Sequence, residues 1–322
     1  MERVTTDRVG GEGVRDSGLE RAMSLEELAA RIERGETLSD LDARAILETN
    51  DLITVGMMAD DVRRRMHGSR TTFVRVFELH VDAPPASLPP RVSAGEIRIV
   101  GEPRTIEAAL ASVRAAAALA NGLPVAGFSL AALEAVATVT DDLRAICLRL
   151  RDAGLEAIAD VPLDVVRDME ASVAAARGAG LAVQRLTVST LTATERIAVA
   201  QRARDLQTAL GGFRAFAPLP TSTSVAAPTT GYDDVKQVAL ARMLLTNIES
   251  IQVDWVRYGP KLAQVALTVG ADDIDAVAAV DPGMLGTRRS PLEEIRGNIR
   301  AAGLEAVERD GRFELRRDAR AG

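Results

Sequence analysis

Cys147 is the only cysteine in the 322 residues, and His67 and His80 are the only histidines. A single thiol cannot close an internal disulfide, and iron–sulfur clusters are held by several thiolates. In Arg144-Ala-Ile-Cys-Leu-Arg-Leu this cysteine falls within an apolar helical stripe. That context reads as a small core residue rather than a nucleophile. Two histidines and scattered acids give no metal-ligand spacing and no Ser, His and Asp set. His67 reads as a solvated helix end, whereas His80 closes a β-rich run and can serve as a base or as a structural residue. Strand ends as read from the sequence also carry Glu102, Ser129, Asp160, Ser189, Thr190, Asp254 and Trp255. From these, His80, Glu102, Asp160, Thr190 and Trp255 are candidate pocket-lining residues. No catalytic residue and no metal ligand is assigned. Glu102 and Asp160 could share acid–base work only if they face each other, which spacing does not decide.

The elements that must position these residues alternate. Thr72 to Val81 is rich in β-branched and aromatic residues and reads as a strand. Glu96 to Gly101, Leu123 to Phe128, Glu156 to Asp160, Leu181 to Val188 and Gly212 to Ala217 follow as strands. Between them the spacing predicts helices over Pro103 to Ala120, Ser129 to Val136, Thr140 or Asp141 to Ala153, Asp164 to Ala179 and Thr192 to Leu210. Then comes a helix behind Asp233 and Asp234, a strand at Ile251 to Trp255, a helix opened by Pro260 and closed by Gly270, and a strand at Asp273 to Val280. Strand and helix in this order predict an α/β fold of the (β/α) TIM type, a barrel complete or partly open, with its chemistry at the C-terminal strand ends. Three junctions, around Gly154, Gly180 and Gly303, share Ala-Gly-Leu and read as helix-to-strand turns. Ahead of the barrel, Ser24 with Glu27, Ser39 or Asp40, and Asn50 with Asp51 start three helices that end near His67. The predicted organisation is a disordered tail over 1–21, helices packed on the barrel over 22–68, and the barrel over 69–322. A C-terminal helix from Pro291 and a hairpin turning at Asp310-Gly, of type I′, complete it.

Several of these stretches resemble a known family. Phe213-Arg-Ala-Phe-Ala-Pro-Leu, Thr230-Gly-Tyr-Asp-Asp, Asn247-Ile, Gly259-Pro-Lys-Leu-Ala-Gln-Val-Ala-Leu and Gly270-Ala-Asp-Asp-Ile-Asp are similar to the radical S-adenosylmethionine enzymes of the futalosine route to menaquinone. The aminofutalosine synthases stand nearest, with the cyclic dehypoxanthinylfutalosine synthases and the builders of the deazaflavin chromophore beside them. The resemblance covers roughly Leu25 to Arg316. It implies a barrel, an iron–sulfur cluster and S-adenosylmethionine as cofactors, and a loop Cys-x-x-x-Cys-x-x-Cys directly after the first strand. Here that strand runs into Val81-Asp-Ala-Pro-Pro-Ala-Ser-Leu-Pro-Pro, which holds no cysteine. Two further loops depart from the family pattern. Asp160-Val-Pro-Leu-Asp stands in place of a Gly-rich turn, and Thr187-Val-Ser-Thr-Leu-Thr in place of a Tyr-Gly-His sequence. No cofactor is therefore expected, since the cluster ligands of the family are missing.

Composition narrows the partners. Hydrophobic residues make up 47% and aromatics only 3%, so the core must be Ala, Val, Leu and Ile, as under parallel strands. A net charge of −7 argues against a nucleic-acid footprint. Lys236 and Lys261 are the only lysines, so nearly all positive charge is Arg. No apolar run nears the roughly 20 residues that span a bilayer, and no basic-then-apolar leader opens the chain, so a cytoplasmic protein is expected. Gly10, Gly11 and Gly13 lack the strand and the Gly-Lys-Ser/Thr of a phosphate loop.

Three functional readings stand side by side. One is a degenerate, non-catalytic barrel associated with menaquinone biosynthesis, which binds a ligand or a partner such as an active family paralogue or another futalosine-pathway enzyme. Another is a radical-free enzyme in a rewritten barrel mouth. The third, an active aminofutalosine synthase, needs cluster ligands from elsewhere.

Overall fold

The computed structural model describes residues 24–90, 92–137, 142–222, 229–280 and 291–316. The expected tail over 1–21 lies outside the described residues.

Eight parallel strands close on themselves. In order they are β1 (Arg70–His80), β2 (Glu96–Val100), β3 (Val125–Ser129), β4 (Ala157–Pro162), a strand in two pieces, β5 (Ala182–Val183) and β6 (Arg185–Val188), then β7 (Ala215–Pro220), β8 (Ser250–Asp254) and β9 (Asp273–Ala278). Both pieces pair with β4, and the break between them is Gln184. Closure is made where Thr72 meets Asp273 and Val76 meets Ala278, so the barrel is complete. A tenth strand, β10 (Glu305–Arg309), pairs with the lower half of β1, Arg70 to Val74, while β2 takes the upper half, Val76 to His80.

Helices follow almost every strand. They are α4 (Ile106–Ala120), α5 (Leu130–Val136), α6 (Leu143–Asp152), α7 (Met169–Gly178), α8 (Arg196–Leu210), α9 (Gly231–Leu244), α10 (Trp255–Leu267) and α11 (Pro291–Ala301). The connection from β1 to β2 is the exception. Its described residues over 81–95 form neither helix nor named strand. Outward strand residues such as Phe73, Leu79, Ile97, Ile99, Phe216 and Ile274 are buried against the helical layer. Each fully buried aliphatic side chain is worth about 1.5–3 kcal/mol, and this layer is the main source of cohesion.

Before the barrel, α1 (Leu25–Glu33), α2 (Asp40–Glu48) and α3 (Leu52–His67) are capped by Ser24, Ser39 and Asp51. The first two caps are reciprocal boxes with Glu27 and Asp42. Helix α3 packs along α9, outside the barrel. Gly154, Gly180 and Gly303 follow helices at φ of 114°, 87° and 75°, conformations that strain any residue with a Cβ.

Several boundaries differ from the sequence reading, each for a local reason. Strand β4 runs on through Val161 and Pro162, so α7 starts only at Met169, where the Asp168 side chain accepts from the Ala171 N–H at 3.0 Å. Thr192 donates to Glu195 at 2.6 Å in a turn, and α8 begins after it. Gly211 and Gly212, at φ of 61° and 74°, form the turn that delays β7 to Ala215. The cap of α6 is Asp142, and Thr140 and Asp141 lie outside the described residues. Helix α10 is two helical pieces joined at the non-helical Gly259, with φ of 73°, and Pro260 opens the second piece as expected, while residues 255–258 add a first turn ahead of it. At the C-terminus the turn is longer than type I′. Asp310 N–H donates to Glu314 O at 2.9 Å, and the residue at positive φ is Phe313, at 64°, not Gly311.

Candidate functional site

Alternation along a barrel strand sends every second side chain inward. In β2 that places Glu96 and Arg98 inside while Ile97 and Ile99 face the helices, and in β9 it does the same for Asp273 and Asp275 around Ile274. The barrel therefore contains charge at its floor. Arg98 donates to Glu96 at 2.7 and 3.1 Å and to Asp275 at 2.7 and 2.9 Å. Arg185 on β6 also donates to Asp275. Arg309 on β10 grips Asp273 with two bonds of 2.7 Å, and Asp273 accepts further from Gln252 at 2.6 Å and Thr72 at 2.5 Å. The ring of Phe313 lies 4.0 Å from the Arg309 guanidinium and covers it from below.

Three guanidiniums, of Arg98, Arg185 and Arg309, thus face three carboxylates, of Glu96, Asp273 and Asp275. Burial alone would raise the Asp275 carboxyl, but Arg185 and Arg98 hold it well below the usual carboxylate range. Burial likewise works against charge on Arg309, and Asp273 more than restores it, so that the guanidinium titrates above its ordinary value. The open space left among Glu96, Arg98, Arg185, Gln252, Asp275 and Arg309 is about 20 Å³, room for about one water and no more. The floor is closed.

A second buried charge ties the N-terminal helices to this floor. Arg242 of α9 donates to Gly270 O at 3.1 Å and to Asp272, which also accepts from Ile251 N–H at 2.8 Å. His67 ends α3 with Nε2 at 2.8 Å from Glu249 O and 3.5 Å from Asp272. Its side chain is 8% exposed, which corrects the reading of a solvated helix end: the ring is packed between α3 and the barrel.

At the other end, the expected strand-end residues are scattered around the mouth. His80 is exposed, and its Nδ1 accepts from the Asp82 N–H at 3.3 Å. Glu102 is exposed two residues past Val100, the register partner of His80. Asp160, beside Ser129 in register, accepts from Thr187 at 3.1 Å. Thr190 turns outward, its N–H at 2.7 Å from Asp164, and lines a separate groove with Arg202 of α8. Trp255 is buried as the first residue of α10, whose cap is Asp254, accepting from Arg257 N–H at 2.8 Å. The bonds there run between neighbouring strands: Thr187 donates to Asp160, and the Val81 N–H donates to Val100 O at 2.9 Å. No hydrogen bond or ion pair links Glu102 to Asp160 among the described residues.

Cys147 lies fully buried in α6, and burial pushes its thiol up to about 12. That is the wrong state and the wrong layer for a cluster ligand, which must be a thiolate at a strand end. The residues after β1 offer Asp82 and Ser87 but no sulfur, and no group of three or more His, Cys, Asp or Glu among the described residues is arranged to hold a metal ion. The donor set does not fit an iron–sulfur cluster.

Fold and floor together define the class as a closed parallel (β/α) barrel with a C-terminal strand laid against its first. Residues 215–321 match the CofH/MqnC C-terminal region. The chain is 27% identical to an aminodeoxyfutalosine synthase of Thermus thermophilus, over 89% of this chain and 94% of that protein. It is 33% identical to an aminodeoxyfutalosine synthase of Streptomyces coelicolor over 36% of each chain. A 5-amino-6-(D-ribitylamino)uracil–L-tyrosine 4-hydroxyphenyl transferase of Methanosarcina barkeri is 34% identical over 33% of this chain and 32% of that one. The chain is thus similar to an aminodeoxyfutalosine synthase over most of its length and to the CofH/MqnC C-terminal region over residues 215–321. In fold it is similar to the hydrogenase maturase HydG of Carboxydothermus hydrogenoformans, with TM-score 0.58 and 15% identity over 88% of this chain and 79% of that one. Methylornithine synthase matches with TM-score 0.55 and 13% identity, over 87% and 97%.

The ion network at the floor was missed by sequence reasoning. Its signal was present in Glu96-Ile-Arg-Ile and Asp273-Ile-Asp, where charge alternates with isoleucine inside strands buried on both faces.

Proposed function

We propose that this chain is a non-catalytic relative of aminodeoxyfutalosine synthase, a cytoplasmic barrel that serves the futalosine route by binding a pathway ligand or a pathway enzyme without initiating radical chemistry. The observation that carries this reading is the connection between β1 and β2. It is only residues 81–95, its described residues form neither helix nor named strand, and it contains no cysteine, whereas the resemblance places three cluster thiolates in that loop. Replacing thiolates there by Asp, Ser or backbone oxygen sets hard ligands against a soft, sulfide-rich centre. Removal of all ligands abolishes the initiator rather than weakening it.

A retained ligand would sit at the mouth, bounded by His80, Glu102 and Asp160, since His80 ends β1, Glu102 follows β2 by two residues and Asp160 lies in the C-terminal half of β4. Chemistry without radicals would need a close acid pair there, and the Asp160 carboxylate is already engaged by Thr187. Complementation tests the reading. In a host whose menaquinone depends on the futalosine pathway, this chain is expected not to rescue deletion of aminodeoxyfutalosine synthase. Restored growth without menaquinone would overturn it.

A further inference from the structure

We propose that the barrel floor binds one resident water molecule, held between the Arg185 guanidinium of β6 and the Glu96 carboxylate of β2. The site is made by small residues. Arg98 on β2 stands in register with Ala126 on β3, and Ala126 with Ala157 on β4. A barrel interior is filled in layers by side chains from its strands, so two alanines beside an arginine leave a gap at that level. Ala126 and Ala157 line the space of about 20 Å³, together with Arg185 and with Gln184, at which the β5 and β6 pieces separate.

One donor of the network is left over. Arg98 and Arg309 place Nε and both terminal nitrogens on protein oxygens. Arg185 gives Nη1 to Asp275, but its Nε is buried and meets no acceptor among the described residues. A buried N–H of a charged group is costly to leave so, and water supplies an acceptor where the protein does not. Glu96 accepts two bonds, both from Arg98, and a carboxylate has about four acceptor sites. The water accepts from Arg185 and donates to Glu96.

Charge and volume decide the occupant. Three guanidiniums already face three carboxylates, so a chloride or a metal cation would add an unpaired charge to the interior. About 20 Å³ admits nothing larger than a water, and an apolar guest would leave Arg185 Nε unanswered.

A crystal structure of the purified full chain, at a resolution that shows ordered water and from crystals soaked in bromide, tests this. The expected density is one peak about 2.7–3.2 Å from Arg185 Nε and within reach of Glu96, without anomalous signal from bromide. No peak at that place, or a bromide signal in it, would overturn the proposal. Ala126→Val gives a second reading in solution. Its added methyls take the water's space and strand Arg185 Nε, so the thermal midpoint should fall by a few degrees. Methyls that fill a dry space leave the midpoint unchanged or raise it, and that result would equally overturn the proposal.

Discussion

The two ends of this barrel differ in how their polar residues are answered. At the floor, residues from β1, β2, β6, β8, β9 and β10 meet in one network in which each guanidinium has its carboxylate. At the mouth, Asp160 binds a neighbour, Thr190 binds Asp164, and His80 and Glu102 stand in solvent. Buried charges hold only when paired, so the floor tolerates little change. Exposed side chains with local partners tolerate much. The difference teaches that the specific polar geometry of this chain closes its barrel, while its strand ends carry only local contacts.

The largest effect that sharpens this contrast is expected at Asp275. Asp275→Asn leaves Arg98 and Arg185 facing each other without their shared anion, and should cost about 3–5 kcal/mol in urea unfolding. The pH dependence has a definite sign. Because the folded-state carboxyl is held below its unfolded value, its contribution is complete above about pH 4 and fades as pH falls toward the folded value. Wild type should lose stability steeply in that acid range, and Asp275→Asn less steeply. Equal slopes would remove Asp275 from the account.

A smaller loss is expected at the seam where the β1 to β2 connection reaches the floor. A Cβ on Gly95 would fall 2.8 Å from Arg309 O and 3.3 Å from Val74 Cγ2, so backbone must shift. Gly95→Ala should lower stability by about 1–3 kcal/mol, the usual cost of overpacking. A thermal midpoint unchanged from wild type would show that β10 has slack there.

At the mouth the effect should nearly vanish. His80→Ala and Glu102→Ala, both exposed, are expected to move unfolding free energy by no more than about 0.5 kcal/mol. A loss comparable to that at Asp275 would break the comparison and mark these residues as parts of an organised site.

Much of the barrel was legible because its signals are local. The order of strands and helices followed from period, and the turns at Gly154, Gly180 and Gly303 from a glycine just past a helix. Closure is a long-range property, made by Thr72 and Asp273 about two hundred positions apart, and no window of sequence contains it. The same distance hid the network, since Arg98 finds Asp275 and not its helical neighbours. His67 read as solvated because it follows Arg63 to Arg65, yet the fold packs it on Glu249. Cys147 was legible as core because a stripe of apolar residues identifies a buried face without any knowledge of what covers it.

The proposal that this chain starts no radical chemistry is tested most directly by anaerobic reconstitution of the purified chain with iron and sulfide, followed by visible absorbance and a search for 5′-deoxyadenosine from S-adenosylmethionine. With no thiol after β1 and Cys147 buried in α6, the expected result is no stoichiometric cluster and no 5′-deoxyadenosine above a protein-free control. A stoichiometric cluster with formation of that product would contradict the account.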